Sequence, residues 1–389
     1  MFHSHLKQWR CQNKTIFLRA DLNVPLHNGK ILSDFRITSI IPTLDYLLNQ
    51  NNMVIIATHI GRPTQYDESL STKQLIPWFE QHNYSITFAS TIKDLITAPF
   101  RAKHIVLFEN LRFFPGEHTA DPFFAKQLAQ NAQYYVNDAF GSLHRTDCSI
   151  SLLPYEFSEN RRSIGFLVEK ELVNLSTLLS NPKKPFVAIL GGKKISEKIP
   201  LIRHMLPIID TLLLCPAICF SFLKAHNHPV GESLIDASLL KDCREMMALA
   251  QSYQVNVLFP IDYYIAKQTI DGPLLYHDSP DIPADAIGIS IGEKTVKLFA
   301  QEIATAQTLF FNGAMGFAER PETRKTTYDL LHEIAHSPGN TYIAGGDTVE
   351  AVFNAKVQND IDYLSTGGGA TLTYLSGHQL PGLMPFEES

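Results

Sequence analysis

A repeated alternation between short apolar segments and amphipathic ones constrains the fold of this chain more than any other feature of its sequence. In the first half, strand-like apolar segments are predicted at residues 15–22, 53–58, 85–88, 105–108 and 134–136. Helical patterns lie between most of them, for instance at residues 72–82 and 122–131. The apolar residues from Ile37 to Leu48 also recur at helical spacing, but Pro42 predicts a helix that is kinked or that begins later. Strands that alternate with helices form a mostly parallel sheet with helices on both faces.

The second half of the chain repeats this organisation. Strands are predicted at residues 186–190, 211–214, 255–260, 287–289, 308–311, 341–343 and 363–364. Between the halves, residues 165–179 form one long amphipathic pattern that ends before Asn181-Pro182. We therefore predict an α/β protein with two doubly wound lobes that a long helix joins. Residues 1–165 and the tail 378–389 are assigned to the first lobe, residues 166–181 to the connecting helix, and residues 182–377 to the second lobe.

The charge, the cysteines and the shortness of the apolar runs argue against several classes of protein. Lys+Arg 33 against Asp+Glu 39 gives a net charge of -6, which argues against a general nucleic-acid binder. The five cysteines are scattered and are interpreted as reduced, buried thiols. The N-terminal residues have no apolar core, and the most apolar run, residues 212–223, is too short to span a bilayer. We expect a cytoplasmic protein without a membrane partner.

Charged side chains follow several strands of the first lobe. In open parallel sheets the ligand lies beyond the carboxyl ends of the strands. Five arginines and two histidines are predicted at this edge, namely Arg19, Arg36, Arg62, Arg112, Arg145, His59 and His144. Period-two spacing places Arg19, Asp21 and Asn23 on one side of the first strand, while Glu109 and Asp138 are interpreted as acceptors that orient the arginines. The pattern predicts a site for a small anion with several charges.

Glycine-rich turns follow the strands of the second lobe, although neither a Walker motif nor G-x-G-x-x-G occurs. They are residues 191–194 (GGKK), 312–316 (NGAMG), 345–348 (GGDT) and 366–369 (TGGG). Glycine lets the backbone approach phosphate oxygens, and the following helix directs free N–H groups at them. Lys194 and Lys198 are four residues apart and share a helical face if the helix has begun there. Asp347 is either a helix N-cap or a ligand for nucleotide-bound Mg²⁺.

Taken in order, these segments resemble phosphoglycerate kinase over essentially the whole chain. The matching stretches are RADLNVPL with SDFRI, THIGRP, ENLRFFPGE, YVNDAFGSLHR, GFLVEKEL, PFVAILGGKKISEKI, FNGAMG, GGDT and STGGGA. The resemblance implies that the first lobe binds 3-phosphoglycerate or 1,3-bisphosphoglycerate through Asp21, Asn23, Arg36, His59, Arg62, Arg112 and Arg145. It also implies that the second lobe binds Mg-ADP or Mg-ATP through Lys194, Lys198, Asn312, Glu319, Gly345, Gly346, Asp347 and Thr348.

The resemblance further implies a hinge-bending monomer of glycolysis that transfers a phosphoryl group in line. Arg36, Lys194, Mg²⁺ and the N–H groups near Gly346 and Gly369 are expected to balance the charge of the transferring group. Asp347 matches the metal-associated aspartate of the family, and Glu319 matches the acid that holds the ribose. No general base is needed, because the attacking oxygens are already ionised at neutral pH.

The sequence departs from the family mainly in the nucleotide lobe. Where the family has a triple glycine and a methionine beside the adenine, this chain has Cys215, Pro216, Ala217 and Ile218. Further replacements are Lys193, Ser290, Glu293, Ala314 and Ala344. We expect an active kinase with weakened or altered base recognition. The alternative is a catalytically weak or silent relative that acts as a binding or scaffold protein; a two-lobed solute-binding protein is disfavoured.

Overall fold

The computed structural model describes residues 6–316 and 320–387. It divides the chain into two compact units. The first unit comprises the residues up to Val173 together with those from Gln379 onward, and the second comprises Asn174–His378. The division falls within the helix that the sequence predicts as the connector.

The strands of the first unit are β1 (Thr15–Ala20), β2 (Leu26–His27), β3 (Lys30–Ile31), β4 (Met53–Ala57), β5 (Ile86–Ala89), β6 (His104–Phe108), β7 (Tyr134–Asp138) and β8 (Arg162–Ile164). Six of them form a wholly parallel sheet in the order β5-β6-β4-β1-β7-β8. Strands β1, β4 and β6 are buried along their whole length. Because helices cover both faces of such a sheet, its strands read as unbroken apolar runs rather than as alternating ones.

Six helices surround this sheet, and a seventh leads out of the unit. They are α1 (Phe35–Leu48), α2 (Ile76–Gln81), α3 (Ile92–Thr97), α4 (Pro115–His118), α5 (Pro122–Ala129), α6 (Cys148–Ser151) and α7 (Phe166–Ser180). Helix α1 begins before Ile37 and continues through Pro42, so the predicted later start is wrong. Its buried face, which includes Ile40 and Leu44, packs into the core. Tertiary packing of that face outweighs the backbone hydrogen bond that Pro42 cannot donate.

The second unit contains two sheets. Its strands are β9 (Phe186–Leu190), β10 (Thr211–Leu214), β11 (Asn256–Leu258), β12 (Tyr263–Lys267), β13 (Leu274–His277), β14 (Ala286–Ile291), β15 (Thr308–Asn312), β16 (Asn340–Ala344) and β17 (Tyr363–Leu364). Six form a parallel sheet in the order β11-β10-β9-β15-β16-β17, and β13-β12-β14 form a separate antiparallel sheet. The sequence analysis missed β12 and β13, because β13 is exposed or half-buried throughout and lacks an apolar signal.

Several helices of the second unit begin beyond the carboxyl ends of strands of the parallel sheet. The helices of this unit are α8 (Ile195–Met205), α9 (Ile218–Ala225), α10 (Leu240–Ser252), α11 (Glu293–Ile303), α12 (Pro321–Ala335), α13 (Gly346–Asn354) and α14 (Gly368–Leu375). Helices α8, α13 and α14 follow the carboxyl ends of β9, β16 and β17. The predicted class of two helix-flanked, mostly parallel sheets is confirmed. Within the described residues, every helix is too short or too polar to cross a bilayer.

Candidate active site

A cluster of charged side chains lies beyond the carboxyl ends of β1 and β4. Strand β1 ends at Ala20, so Asp21 and Asn23 are placed by the loop that follows rather than by the period of the strand. The Nη1 atom of Arg36 lies 2.9 Å from both carboxylate oxygens of Asp21. The backbone N–H of Gly61 donates to Asn23 Oδ1 at 2.9 Å. The loops after two neighbouring strands are therefore joined directly at the site.

Arg112 is the most confined cation of the cluster. It is 6 % exposed, its Nη1 donates to the carbonyl oxygen of Gly61, and its Nη2 lies 4.0 Å from Asp147 Oδ2. Its Nε and Nη2 atoms have no hydrogen-bond acceptor among residues 6–316 and 320–387. Burial, and next the charge of Arg145, lower the pKa of Arg112 to about 10. The structure thus holds two guanidinium groups close together despite their repulsion.

His59 and Asp21 lie within the field of the same arginines. Burial and the charges of Arg19, Arg112 and Arg36 hold the pKa of His59 well below its usual value, although Asp21 opposes them. Burial alone would raise the pKa of Asp21, but Arg36, His59 and Arg19 hold it below its usual value. His59 is therefore neutral and Asp21 is ionised at neutral pH.

The structure brings together most of the residues predicted for the first lobe. Mutual electrostatic effects connect Arg19, Asp21, Arg36, His59, Arg112 and Arg145. Asn23 joins them through Gly61, and Arg62 is exposed directly after Gly61. Asp147, which the sequence analysis did not single out, contacts Arg112. It lies three residues after His144 and carries no motif signal of its own.

Glu109 and Asp138 do not orient the arginines, contrary to the prediction. Glu109 accepts hydrogen bonds from the hydroxyl of Ser71 at 2.8 Å and from the backbone N–H of Thr72 at 3.0 Å. Asp138 accepts from the backbone N–H of Leu167 at 2.9 Å, at the start of α7. Both carboxylates satisfy buried backbone donors, which the strand-end pattern alone does not distinguish from a ligand site.

A glycine-lined pocket of about 440 Å³ occupies the corresponding edge of the second unit. The glycines are Gly191, Gly192, Gly313, Gly316, Gly345, Gly346, Gly368 and Gly369. Gly313 and Gly345 both have φ of 104°, a backbone conformation that other residues rarely adopt. A Cβ atom on Gly313 would lie 2.0 Å from the carbonyl oxygen of Gly191. The amino termini of α8, α13 and α14 border this pocket, and such termini favour bound anions.

Lys194 and Lys198 both line the pocket but differ in setting. Helix α8 begins at Ile195, so Lys194 precedes the helix instead of sharing a helical face with Lys198. Its side chain is 70 % exposed, and its Nζ lies 3.0 Å from Glu197 Oε1. Lys198 is 5 % exposed, and burial lowers its pKa to about 8. One lysine side chain is thus exposed to solvent, whereas the other is buried in the wall of the pocket.

The remaining predicted nucleotide residues surround the same pocket. Asn312 Nδ2 donates to the carbonyl oxygen of Ala344 at 2.7 Å, and Thr348 Oγ1 accepts from the N–H of Gly313 at 2.9 Å. Asp347 is exposed in the first turn of α13, and its side chain accepts no N-cap hydrogen bond within the described segments. Glu319 lies outside the described residues.

The substituted segment 215–218 lies beside this pocket. Cys215 and Pro216 are buried, and the Cys215 Cβ would lie 3.1 Å from a Cβ atom on Gly191. Ala217 has φ of 68° and ψ of -62°, which is unusual for a residue with a side chain. The backbone here adopts a conformation that suits glycine, although an alanine occupies the position.

Sequence comparison identifies relatives over nearly the whole chain. The family model described as phosphoglycerate kinase matches residues 6–378. A phosphoglycerate kinase of Bdellovibrio bacteriovorus is 35% identical over 386 residues, covering 97% of this chain and 96% of the relative. A phosphoglycerate kinase of Nautilia profundicola is 36% identical over 383 residues, covering 96% of both chains.

Solved structures show the same similarity. The phosphoglycerate kinase of Coxiella burnetii superimposes with a TM-score of 0.84 at 29% identity and covers 99% of both chains. That of Pyrococcus horikoshii superimposes with a TM-score of 0.85 at 26% identity, covering 99% of this chain and 98% of the other.

Proposed function

The chain belongs to the phosphoglycerate kinase family, and from this membership we propose how its two sites divide the family's reaction. The reaction is the reversible transfer of a phosphoryl group from 1,3-bisphosphoglycerate to ADP, which gives 3-phosphoglycerate and ATP. The cluster around Arg112 binds the phosphoglycerate. The glycine-lined pocket of the second unit binds the nucleotide.

The burial of Arg112 and its unsatisfied hydrogen-bond donors are the main support for the proposed function of the first site. A guanidinium group that is 6 % exposed retains donors at Nε and Nη2 without an acceptor in the described part of the chain. Leaving a buried charged donor unsatisfied is unfavourable, so such a group calls for an anion. A ligand with a phosphate and a carboxylate satisfies several guanidinium groups at once, because arginine binds both groups in a two-pronged manner.

In the second site, the backbone and the two lysines take the place of water around the phosphates. The N–H groups at the starts of α13 and α14, near Gly346 and Gly369, are proposed to face the transferring phosphoryl group. Lys194 is proposed to follow that group, and Lys198 to hold a neighbouring phosphate. Asn312 and Thr348 keep the glycine turns in place through the bonds given above. Arg36 is proposed to balance charge from the other substrate.

The residues present suit a magnesium ion that enters with the nucleotide. The described residues hold no group of three or more His, Cys, Asp or Glu side chains that could bind a metal by themselves. Mg²⁺ is commonly held by one or two carboxylates together with substrate phosphates, and the exposed Asp347 supplies one carboxylate in the pocket. Mg²⁺ would neutralise phosphate charge and align the phosphates. We also propose that the protein acts as a cytoplasmic monomer.

A coupled assay tests the assignment of the two sites. We expect turnover in both directions with the wild-type protein, a raised KM for 3-phosphoglycerate in Arg112→Lys, and a raised KM for ADP in Lys198→Gln. Retained 3-phosphoglycerate binding without any turnover would favour the scaffold alternative. Titration with ADP, GDP and IDP tests the altered base wall: an ordinary preference for ADP would show that Cys215, Pro216 and Ala217 leave base recognition unchanged.

A further inference from the structure

A buried chain of polar groups lies beneath the phosphoglycerate site and ends on His59. Glu117 Oε1 accepts a hydrogen bond from Ser149 Oγ at 2.6 Å, and Glu117 Oε2 accepts from the Ser149 N–H at 2.9 Å. Ser149 Oγ in turn accepts from Arg19 Nε at 2.8 Å. Arg19 Nη2 lies 3.3 Å from His59 Nδ1. Helices α4 and α6, strand β1 and the loop after β4 thus meet in one connected network.

Because this chain of hydrogen-bonded groups is buried, water cannot replace a bond that is lost from it. Arg19 is 0 % exposed and Glu117 is 1 % exposed, and burial raises the pKa of Glu117 although the charge of Arg19 and the bonds from Ser149 oppose the rise. The carboxylate of Glu117 therefore depends on Arg19 for compensation. Ser149 connects them because a hydroxyl can accept from one partner and donate to another. The hydroxyl of Tyr135 donates to the carbonyl oxygen of Ser149 at 2.7 Å and fixes the position of that residue. A buried chain with every member bonded restricts Arg19 to one arrangement.

The arrangement of Arg19 determines which nitrogen of His59 carries hydrogen. A guanidinium group donates hydrogen bonds and cannot accept them, so His59 Nδ1 must be the acceptor. In a neutral imidazole the hydrogen then lies on Nε2. Among residues 6–316 and 320–387 the only side-chain hydrogen bond of the His59 ring is the one at Nδ1, so Nε2 is available to a ligand. The charged groups that face this ring are Asp21, Arg19, Arg112 and Arg36, and the three arginines oppose its protonation.

We propose that Glu117 and Ser149 are positioning residues that act through Arg19 to hold His59 as a neutral ring with its hydrogen on Nε2. This inference rests on the proposed function of the first site. A ring in this state donates a hydrogen bond to an anionic substrate oxygen. The other neutral tautomer would turn a lone pair toward the same oxygen and repel it. The buried chain therefore sets the direction of a hydrogen bond rather than the net charge of the site.

Nitrogen NMR of the wild-type protein tests this state directly and does not depend on turnover. Long-range ¹H–¹⁵N spectra distinguish protonated from unprotonated ring nitrogens, and loss of the signal in His59→Gln assigns it. We expect a protonated Nε2 and an unprotonated Nδ1 from pH 6 to pH 8. A hydrogen on Nδ1, a mixture of tautomers, or a charged ring would overturn the inference. Lack of turnover in the coupled assay would instead count against the proposed function.

Two variants test whether the chain acts through Arg19. Ser149→Ala removes the bridging hydroxyl, and Arg19→Met combined with Glu117→Gln removes both buried charges together. In each we expect the His59 nitrogen signals to move toward a mixture of tautomers. The KM for 3-phosphoglycerate should rise about fivefold or more, the effect of one hydrogen bond, while kcat changes less in Ser149→Ala.

Ser151→Ala is the matched control. Ser151 lies on the same short helix, but its hydroxyl donates only to the backbone carbonyls of Thr146 and Asp147 within the described residues. We expect wild-type nitrogen signals and an unchanged KM. Unaltered His59 signals in Ser149→Ala, or an equal change in Ser151→Ala, would show that the buried chain does not set the state of His59.

Discussion

Replacing Asp138 by asparagine should reveal a buried carboxyl group whose ionisation opposes folding. Asp138 is fully buried at the end of β7, where its Oδ1 accepts from the N–H groups of Leu167 at 2.9 Å and Val168 at 3.2 Å. Its Oδ2 has no partner in the described part of the chain. Burial raises its pKa to about 7, although bonds from Thr43 and the two N–H groups oppose the rise. Asparagine keeps the accepting oxygen and cannot titrate.

The sign of the expected effect follows from proton binding. The pKa of an unfolded aspartate is about 3.9, so between that value and about 7 the folded state binds more protons than the unfolded state. The contribution of Asp138 to stability is therefore lost as the pH rises through this window. The loss is about 1.4 kcal/mol for each pH unit well below pH 7, which gives about 2 kcal/mol between pH 5 and pH 7 and about 3 kcal/mol by pH 8. Above pH 8 it should level off.

Urea unfolding followed by tryptophan fluorescence measures this loss of stability in the first unit, which contains Asp138. The two tryptophans, Trp9 and Trp78, are both buried in the first unit. The stability of wild type relative to Asp138→Asn should fall by about 3 kcal/mol from pH 5 to pH 8. Asp121→Asn, which alters a half-exposed helix cap on α5, should give a difference below about 1 kcal/mol at each pH. A constant difference between wild type and Asp138→Asn would refute the reasoning.

Three further predictions concern the second unit and the phosphoglycerate site. Ala217→Gly should raise the free energy of unfolding, measured by circular dichroism, by about 1 kcal/mol, because the φ of 68° at this position suits glycine better than alanine. The control Ala225→Gly, at the end of α9, should lower the free energy of unfolding. Arg36→Lys should raise the KM for 3-phosphoglycerate about tenfold, because one ammonium group cannot replace the several donors of the planar guanidinium group. The control Arg203→Lys, on the surface, should leave this KM unchanged. Because burial lowers the pKa of Lys198 to about 8, calorimetry should show ADP affinity falling above pH 8, and the same fall in Lys198→Arg would contradict this assignment.

The sequence predicts the backbone of the two sites better than their side-chain contacts. The bounds of β9, β10 and β17 agree with the predicted segments, because unbroken apolar runs between turns mark buried parallel strands. The glycine turns also lie where expected. The bonds of Asp138 and Ser149 could not be predicted, since their partners are distant in sequence and no periodic pattern records such pairs. Glu117 ends the ENLRFFPGE motif, but the motif alone does not show that its carboxylate is buried.

The carboxylates around the arginines explain why this site benefits from a neutral histidine. Asp21 is bonded to Arg36, Asp147 lies beside Arg112, and Glu117 reaches Arg19 through Ser149. Each of these three cations thus has a carboxylate close to it, although Arg112 Nε and Nη2 still lack a hydrogen-bond acceptor in the described part of the chain. Arg145 and the exposed Arg62 form no ion pair with a carboxylate among residues 6–316 and 320–387, so in the proposed function they add positive charge to the donors that Arg112 offers an anion. A charged His59 would add repulsion among these cations, whereas a neutral ring with hydrogen on Nε2 adds one more oriented donor.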